Sequence, residues 1–233
     1  MQKIRVSLCL AFIVTAIAIA CSRGDTEMAF ADSLIPRDEP AAQTSSSTES
    51  AQSATLRLVL APTGNAARYR VRERLVGADL PNDAIGETKA LTGAIAFDSQ
   101  GKVIAQSSKF TVDAGTFVSD KDRRDGYVRR RLLDSSTYPS VVLVPTGVSG
   151  IALPLPTSGT RAFEMTGDLT VRGVTRPTTW KGSAQFQNGQ VTGTAATAFT
   201  FDDIKMDQPS VPVLLSVADT IRLEIDFNLV RQP

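Results

Sequence analysis

Histidine is absent from this 233-residue chain. The absence removes the most frequent general base, the commonest metal ligand and the one side chain that ordinarily titrates near neutrality. Ser-His-Asp and Cys-His catalytic sets are excluded, and only lysine-based variants of that chemistry remain open. Cysteine is nearly absent too, with Cys9 and Cys21 the only two. Long apolar runs are equally scarce. The clearest apolar stretch, the fifteen uncharged residues from Val6 to Ala20, follows Lys3 and Arg5. It falls short of the roughly 20 residues that a membrane-spanning helix needs.

A basic start, a short apolar centre and small residues at its end describe an export signal over residues 1–20. A retained membrane anchor is the alternative, and its length argues against it. Two processing schemes both cut after Ala20. Ala18-Ile19-Ala20 fits the small-x-small rule of ordinary secretion. Cys21 follows at once, and small residues before a cysteine resemble the lipobox of bacterial lipoproteins, with Ala18 where leucine is usual. Cysteine bookkeeping favours lipidation. Cys9 leaves with the signal, so Cys21 is a lone thiol with no intramolecular disulfide available to it. Several acyl chains at Cys21 make a stable membrane anchor where one chain is marginal. Serine immediately after Cys21 is compatible with delivery to an outer membrane.

Removing residues 1–20 takes away Lys3 and Arg5, leaving 23 basic against 24 acidic side chains and a net charge of −1. Nucleic acid is excluded as a partner on that balance, because its binding needs a basic face. Residues 21–54 are rich in Ser, Thr, Gln, Ala and acids, with scarcely an apolar residue after Leu34. Such a segment cannot bury enough surface to offset its ordering entropy and reads as a disordered tether. Its root-mean-square span is about 30 Å. A loose N-terminal tail would have the same composition.

Residues 55–233 read as one domain of about 175 residues, large enough to bury roughly 70% of its surface without disulfides. Met165 to Lys181 organises it. Phe163, Met165, Gly167, Leu169 and Val171 alternate with Glu164, Thr166, Asp168, Thr170 and Arg172, the period of a half-buried strand. A corner at Gly173 to Pro177 breaks the run. Trp180, Gly182, Ala184 and Phe186 then fall on one face of the returning strand. Further strands are expected at Ala67 to Leu75, Leu91 to Phe97, Val103 to Val118, Ser140 to Pro145, Val191 to Phe201 and Thr220 to Val230. In the last, Ile221, Leu223, Ile225, Phe227 and Leu229 oppose Thr220, Arg222, Glu224, Asp226 and Asn228. Between Ala67 and Leu75, Arg68, Arg70, Arg72 and Arg74 form the wet face.

Ser119 to Pro139 departs from this pattern. It is dense in charge and has no period of two, and Asp125 is placed to cap a short helix carrying Tyr127, Arg131 and Leu132 on one side. Gly147 to Gly159 and Asp202 to Pro212 read as loops. Seven or eight antiparallel strands with one helical interruption predict an all-β closed barrel or sandwich, which periodicity does not separate.

Three blocks resemble the YceI-like family. They are Phe110-Thr111-Val112-Asp113-Ala114 through Ser119-Asp120 and Arg124-Asp125; Leu132-Leu133-Asp134 to Tyr138-Pro139; and Thr166-Gly167-Asp168-Leu169-Thr170-Val171-Arg172-Gly173-Val174-Thr175-Arg176-Pro177. The likeness continues to Phe227. It implies an extended, lipocalin-like antiparallel β-barrel of eight strands, exported in bacteria, non-catalytic, and enclosing a long polyisoprenoid chain. It is compatible with a dimer and leaves the oligomeric state open. The chain departs from the family in two places. Tyr127 stands where a histidine is common, and residues 121–131 are unusually basic.

An isoprenoid tail needs an apolar tunnel and little polar chemistry, and an eight-stranded barrel is just wide enough for packed side chains or one slender ligand. Expected wall residues are Phe110, Val112, Phe163, Met165, Leu169 and Trp180 on the first strands. Phe186, Phe199, Phe201, Leu223, Ile225 and Phe227 continue the wall. Each of the twelve could equally be ordinary core. Arg123, Arg124, Arg129, Arg130 and Arg131 offer guanidinium groups to a phosphate head or anionic headgroups. The competing assignment is a solvated segment offset by Asp120, Asp122, Asp125 and Asp134. Asp202, Asp203 and Asp207 lack a ligand motif of known spacing, so no metal site and no cofactor is assigned. Lipid carriage in the cell envelope is the expected function. An envelope interaction scaffold with an empty barrel is the alternative, and an enzyme is the weaker third class.

Overall fold

A computed structural model describes residues 56–232. The expected export signal, the expected tether and Cys21 lie outside the described residues. Ten strands form one antiparallel sheet: β1 (Leu56–Leu60), β2 (Ala66–Leu75), β3 (Asn82–Thr88), β4 (Leu91–Phe97), β5 (Lys109–Asp113), β6 (Ser140–Ser149), β7 (Ser158–Val171), β8 (Val174–Gln187), β9 (Gln190–Thr200) and β10 (Leu214–Arg231). Eight of them, in the order β1-β4-β5-β6-β7-β8-β9-β10, close into a ring when β1 pairs with β10. The expectation of a barrel or a sandwich resolves as a barrel.

β2 and β3 continue the wall beyond β1 and β4. β10 is long enough to serve both halves, facing β1 at Leu229 to Arg231 and β2 from Leu214 to Asp226. Between β1 and β2 the chain bends, and the freed backbone groups there need partners. Asn65 supplies them. Its side-chain amide donates to the Ala61 carbonyl at 2.7 Å and its oxygen accepts from the Asn228 N–H at 2.8 Å. β3 is tied back by paired backbone bonds between Glu87 and Val118, at 2.8 and 3.0 Å.

The organising hairpin is tighter than its sequence suggests. Arg172 and Gly173 make the whole turn, at φ 48° and 75°, so Val174 already pairs with Val171. Positive φ at both positions is the turn whose twist matches a β-hairpin. Pro177 therefore lies inside β8, opposite Asp168, rather than in a corner. Val103 to Val118 is not one strand. Only Lys109–Asp113 is extended, between helical turns at Ala105–Ser107 and Ala114–Thr116. Buried Ser108 stabilises the first break by accepting from the Ala96 N–H at 2.9 Å and donating to the Ile104 carbonyl at 2.8 Å.

The charged segment forms a helix, α1 (Asp122–Tyr127), that runs on into a wider turn at Val128–Leu132. Lys121, not Asp125, occupies the N-cap. Asp125 is buried inside the helix and accepts from the Ser119 N–H at 2.9 Å and the Ser119 hydroxyl at 2.6 Å, fastening the approach to the helix. Among the described residues no helix is long and apolar enough to cross a membrane.

Outside the barrel, Arg68, Arg70 and Arg72 of β2 are wet but paired. Arg68 bridges Glu87 at 2.6 Å and Asp226 at 2.7 Å, and Arg70 bridges Asp83 at 3.1 Å and Glu224 at 3.4 Å. These ties run across β3, β2 and β10. Inside, one apolar cluster spans the ring, from Leu56, Leu58 and Ile95 at one end to Ile204, Met206 and Ile221 at the other.

Candidate functional site

The barrel is hollow. A cavity of about 740 Å³ occupies one end of the lumen, and a smaller chamber of about 90 Å³ lies at the other. The wide cavity has the size of a small-molecule binding site. The twelve expected wall residues divide between the two. Phe110, Val112, Leu169, Trp180, Phe199, Phe201, Leu223 and Ile225 border the wide cavity. Phe163, Met165, Phe186 and Phe227 border the small chamber, which Phe110 and Ile225 also touch. Period-two alternation brings them together, because every inward position of β5 to β10 faces the same lumen.

Trp180 shows how the wall is kept apolar. Its indole Nε1 donates to the Thr178 hydroxyl at 3.0 Å, and that hydroxyl donates to the Gly167 carbonyl at 3.0 Å. With its one polar atom satisfied inside the wall, the ring offers the lumen a wholly hydrophobic surface. Phe163 and Phe227 meet edge to face, with centroids 5.9 Å apart.

Polar groups gather at one end of the wide cavity. Glu73, on the inward face of β2 with Tyr69 and Val71, is buried. Arg124 of α1 reaches it, Nη2 to Oε1 at 2.5 Å, while its other terminal nitrogen bonds Asp120. Burial alone would lower the Arg124 pKa, but the hydrogen bond to Asp120 and the charge of Glu73 outweigh it and the net shift is upward. Arg124 thus stays charged and already has its anions. Burial pushes the neighbouring Tyr69 phenol up to about 12, against the opposing pull of Arg124. Tyr69 packs on Phe117 at 5.6 Å.

Lys121, Arg123 and Tyr127 border the cavity at the same end, and Val76 and Val213 form an exposed apolar rim there. Of the five arginines singled out from the sequence, Arg123 and Arg124 border the cavity. Arg129, Arg130 and Arg131 do not.

Several wall residues were invisible in the sequence. Ile204 and Met206 lie in a stretch that reads as loop, yet both are buried against the cavity. Their apolar character two positions apart was the available signal. Glu73 was legible as an inward position, but its partner lies 51 residues away. Asp202, Asp203 and Asp207 do not converge, and the described residues contain no group of three or more acids, cysteines or histidines placed to hold a metal. Asp203 instead accepts from the Thr200 N–H at 2.8 Å and pairs with Arg176 at 2.8 Å. Chemically, the site can sequester an apolar chain and meet a polar end at the rim.

The sequence model of the YceI-like domain matches residues 59–229. Two UPF0312 proteins of Pseudomonas putida, strains F1 and KT2440, are each 28% identical over 156 residues, covering 63% of this chain and 73% of the relative. Among solved structures, a polyisoprenoid-binding domain from Saccharophagus degradans, implicated in plant cell wall breakdown, superposes with a TM-score of 0.57 at 12% identity. That match covers 76% of this chain and 99% of that one. Burkholderia cenocepacia BcnA superposes with a TM-score of 0.54 at 16% identity, covering 72% and 98%. At these identities the structural likeness establishes the fold.

Proposed function

The chain belongs to the YceI-like family, and from that premise we propose that it binds a long-chain isoprenoid-type lipid in its barrel, without catalysis, in the bacterial cell envelope. One observation carries the proposal: an apolar cavity of about 740 Å³ runs into the barrel beneath a rim that holds the polar groups. Each CH₂ buried there contributes about 0.8 kcal/mol, so a few isoprene units support useful affinity. The gain does not sum along the whole tail, because association costs and the practical ceiling on affinity intervene. The polyisoprenoid-binding domain of Saccharophagus degradans, which shares the fold, supports the choice of ligand class.

The polar end suits a modest head group. Arg124 is already neutralised by Glu73 and Asp120, and Lys121 lies 3.8 Å from Asp120, leaving Arg123 as the rim cation with no ion pair among the described residues. Residues 1–20 direct export, and Cys21 carries the lipid anchor that holds the barrel at a membrane.

Solvent extraction of the purified chain followed by mass spectrometry tests the proposal. Near-stoichiometric recovery of an isoprenoid lipid is expected. A folded chain that is persistently empty overturns lipid carriage and leaves an envelope scaffold. Membrane fractionation of Cys21→Ser tests the anchor, which is wrong if the variant stays equally membrane-bound.

A further inference from the structure

The wide cavity and the small chamber share three lining residues, Phe110, Leu143 and Ile225. Phe110 on β5 and Leu143 on β6 are direct cross-strand partners. Ile225 comes from β10, which lies four strands from β6 in the ring of eight, on the opposite wall. The three side chains therefore close across the lumen rather than along one side of it. Below them the chamber is only about 90 Å³, against about 740 Å³ above.

We infer that Phe110, Leu143 and Ile225 form a stop that limits the length of lipid tail the barrel accepts. The inference rests on the lipid-binding proposal above. A tail entering from the polar rim runs along Trp180, Leu169 and Leu223 until its end meets the Phe110 ring. That ring is held in place from behind. Gly93 lies directly opposite Phe110 across β4 and β5, and a Cβ there would come within 2.5 Å of the ring. Leu143 is likewise buried, with Gly167 of β7 admitting its methyl group close to the backbone. A tail one unit too long must then either displace packed side chains or leave its other end in water. Both are unfavourable in an interior packed to crystal-like density.

A ladder of all-trans prenols differing by one isoprene unit tests the stop. The full chain, stripped of lipid, is offered the equimolar mixture, and native mass spectrometry identifies what it retains. Retention is expected to fall by at least about tenfold from one rung to the next beyond a single length, the discrimination that a misfitting methylene supports in an apolar pocket. Phe110→Ala and Ile225→Ala are each expected to move that fall to longer prenols. Leu169→Ala, which widens the large cavity alone, is expected to leave it in place. Retention that declines smoothly along the ladder overturns the stop while leaving lipid binding intact. So does a fall at the same length in both folded stop variants, or an equal shift in Leu169→Ala, which would assign the limit to total volume. A wild-type chain that retains no prenol at all overturns lipid binding, and the stop with it.

Discussion

The ring of Phe110 lies over Gly93, the residue directly opposite it on the neighbouring strand. The same relationship recurs around the barrel. Phe163 faces Gly182, Phe227 faces Gly193 and Tyr69 faces Gly86, each pair in register and each glycine so close to the ring that a Cβ would collide with it. An aromatic side chain that leans onto a neighbouring glycine takes the space a Cβ would need, and the ring is pinned by the strand beside it.

Gly93→Ala is expected to destabilise the fold by about 1–3 kcal/mol, the usual cost of overpacking. Gly93 also sits at φ 155°, outside the usual range of a residue with a side chain, which adds strain. Urea unfolding of Gly93→Ala, Phe110→Ala and the double variant measures the coupling. We expect the two substitutions to interact by about 0.5–3 kcal/mol, the range for residues in contact. Additive effects would mean that the ring does not depend on its glycine.

The Glu73–Arg124 pair leads to a second expectation. Both side chains are largely buried, at 9% and 13% exposure, so removing Arg124 leaves Glu73 charged and without its cation in a poorly solvated place. Arg124→Met is expected to cost about 3–5 kcal/mol in thermal or urea unfolding. Adding Glu73→Gln should recover most of it, because the orphaned charge is then gone. No recovery in the double variant would show that Arg124 acts through packing alone.

Tyr69 gives the pH expectation. Burial raises its pKa to about 12 from an ordinary value near 10. The folded state therefore holds that proton longer than the unfolded chain. The stability it contributes is fully present below about pH 10 and is lost as pH rises toward 12. In an absorbance titration, one of the three tyrosines should ionise late, together with unfolding. In Tyr69→Phe that late step should vanish. A Tyr69 that ionises near the ordinary tyrosine value would place it in solvent.

How much of this was legible in the sequence follows from the range of each signal. β7, β8, β9 and β10 alternate over many residues, so their inward faces could be read directly and the wall residues came with them. β3, Asn82 to Thr88, was missed because its inward positions are Ala84, Gly86 and Thr88. No large apolar residue marks its inward face, since Tyr69 reaches across from β2 and occupies the space over Gly86. The break at Ala105–Ser107, inside the expected Val103 to Val118 strand, was missed for a related reason. It is held by Ser108, whose bonds to Ala96 and Ile104 are tertiary and leave no periodic trace. Arg124 could be named from its basic neighbourhood, but its separation from Arg129, Arg130 and Arg131 could not, because the partner that selects it is Glu73 on a distant strand. Ring closure itself depends on Leu58 to Leu60 finding Leu229 to Arg231, a pairing across almost the whole domain.

The alternation of β10 supports the most direct test of the wall. Leu223 faces the lumen, in register with Tyr69 and Thr197, while its neighbour Arg222 points outward and bonds Glu224 at 2.7 Å. Leu223→Arg is expected to abolish lipid retention, because the cavity offers a guanidinium there no partner and a lipid tail cannot solvate it. Taking about 3 kcal/mol as the penalty for an unpaired charge, retention should fall by roughly a hundredfold. A long arginine can bend toward the rim and keep its head in water. Leu223→Asp, whose short side chain cannot reach that far, is therefore the stricter variant, and it should lose lipid at least as fully. Arg222→Leu, one residue away and on the other face, should retain lipid at the wild-type level. The measurement is lipid recovered per folded chain, with folding checked by circular dichroism. Retention by folded Leu223→Asp, or equal loss in Arg222→Leu, would mean that the lipid does not lie along the inward face of β10.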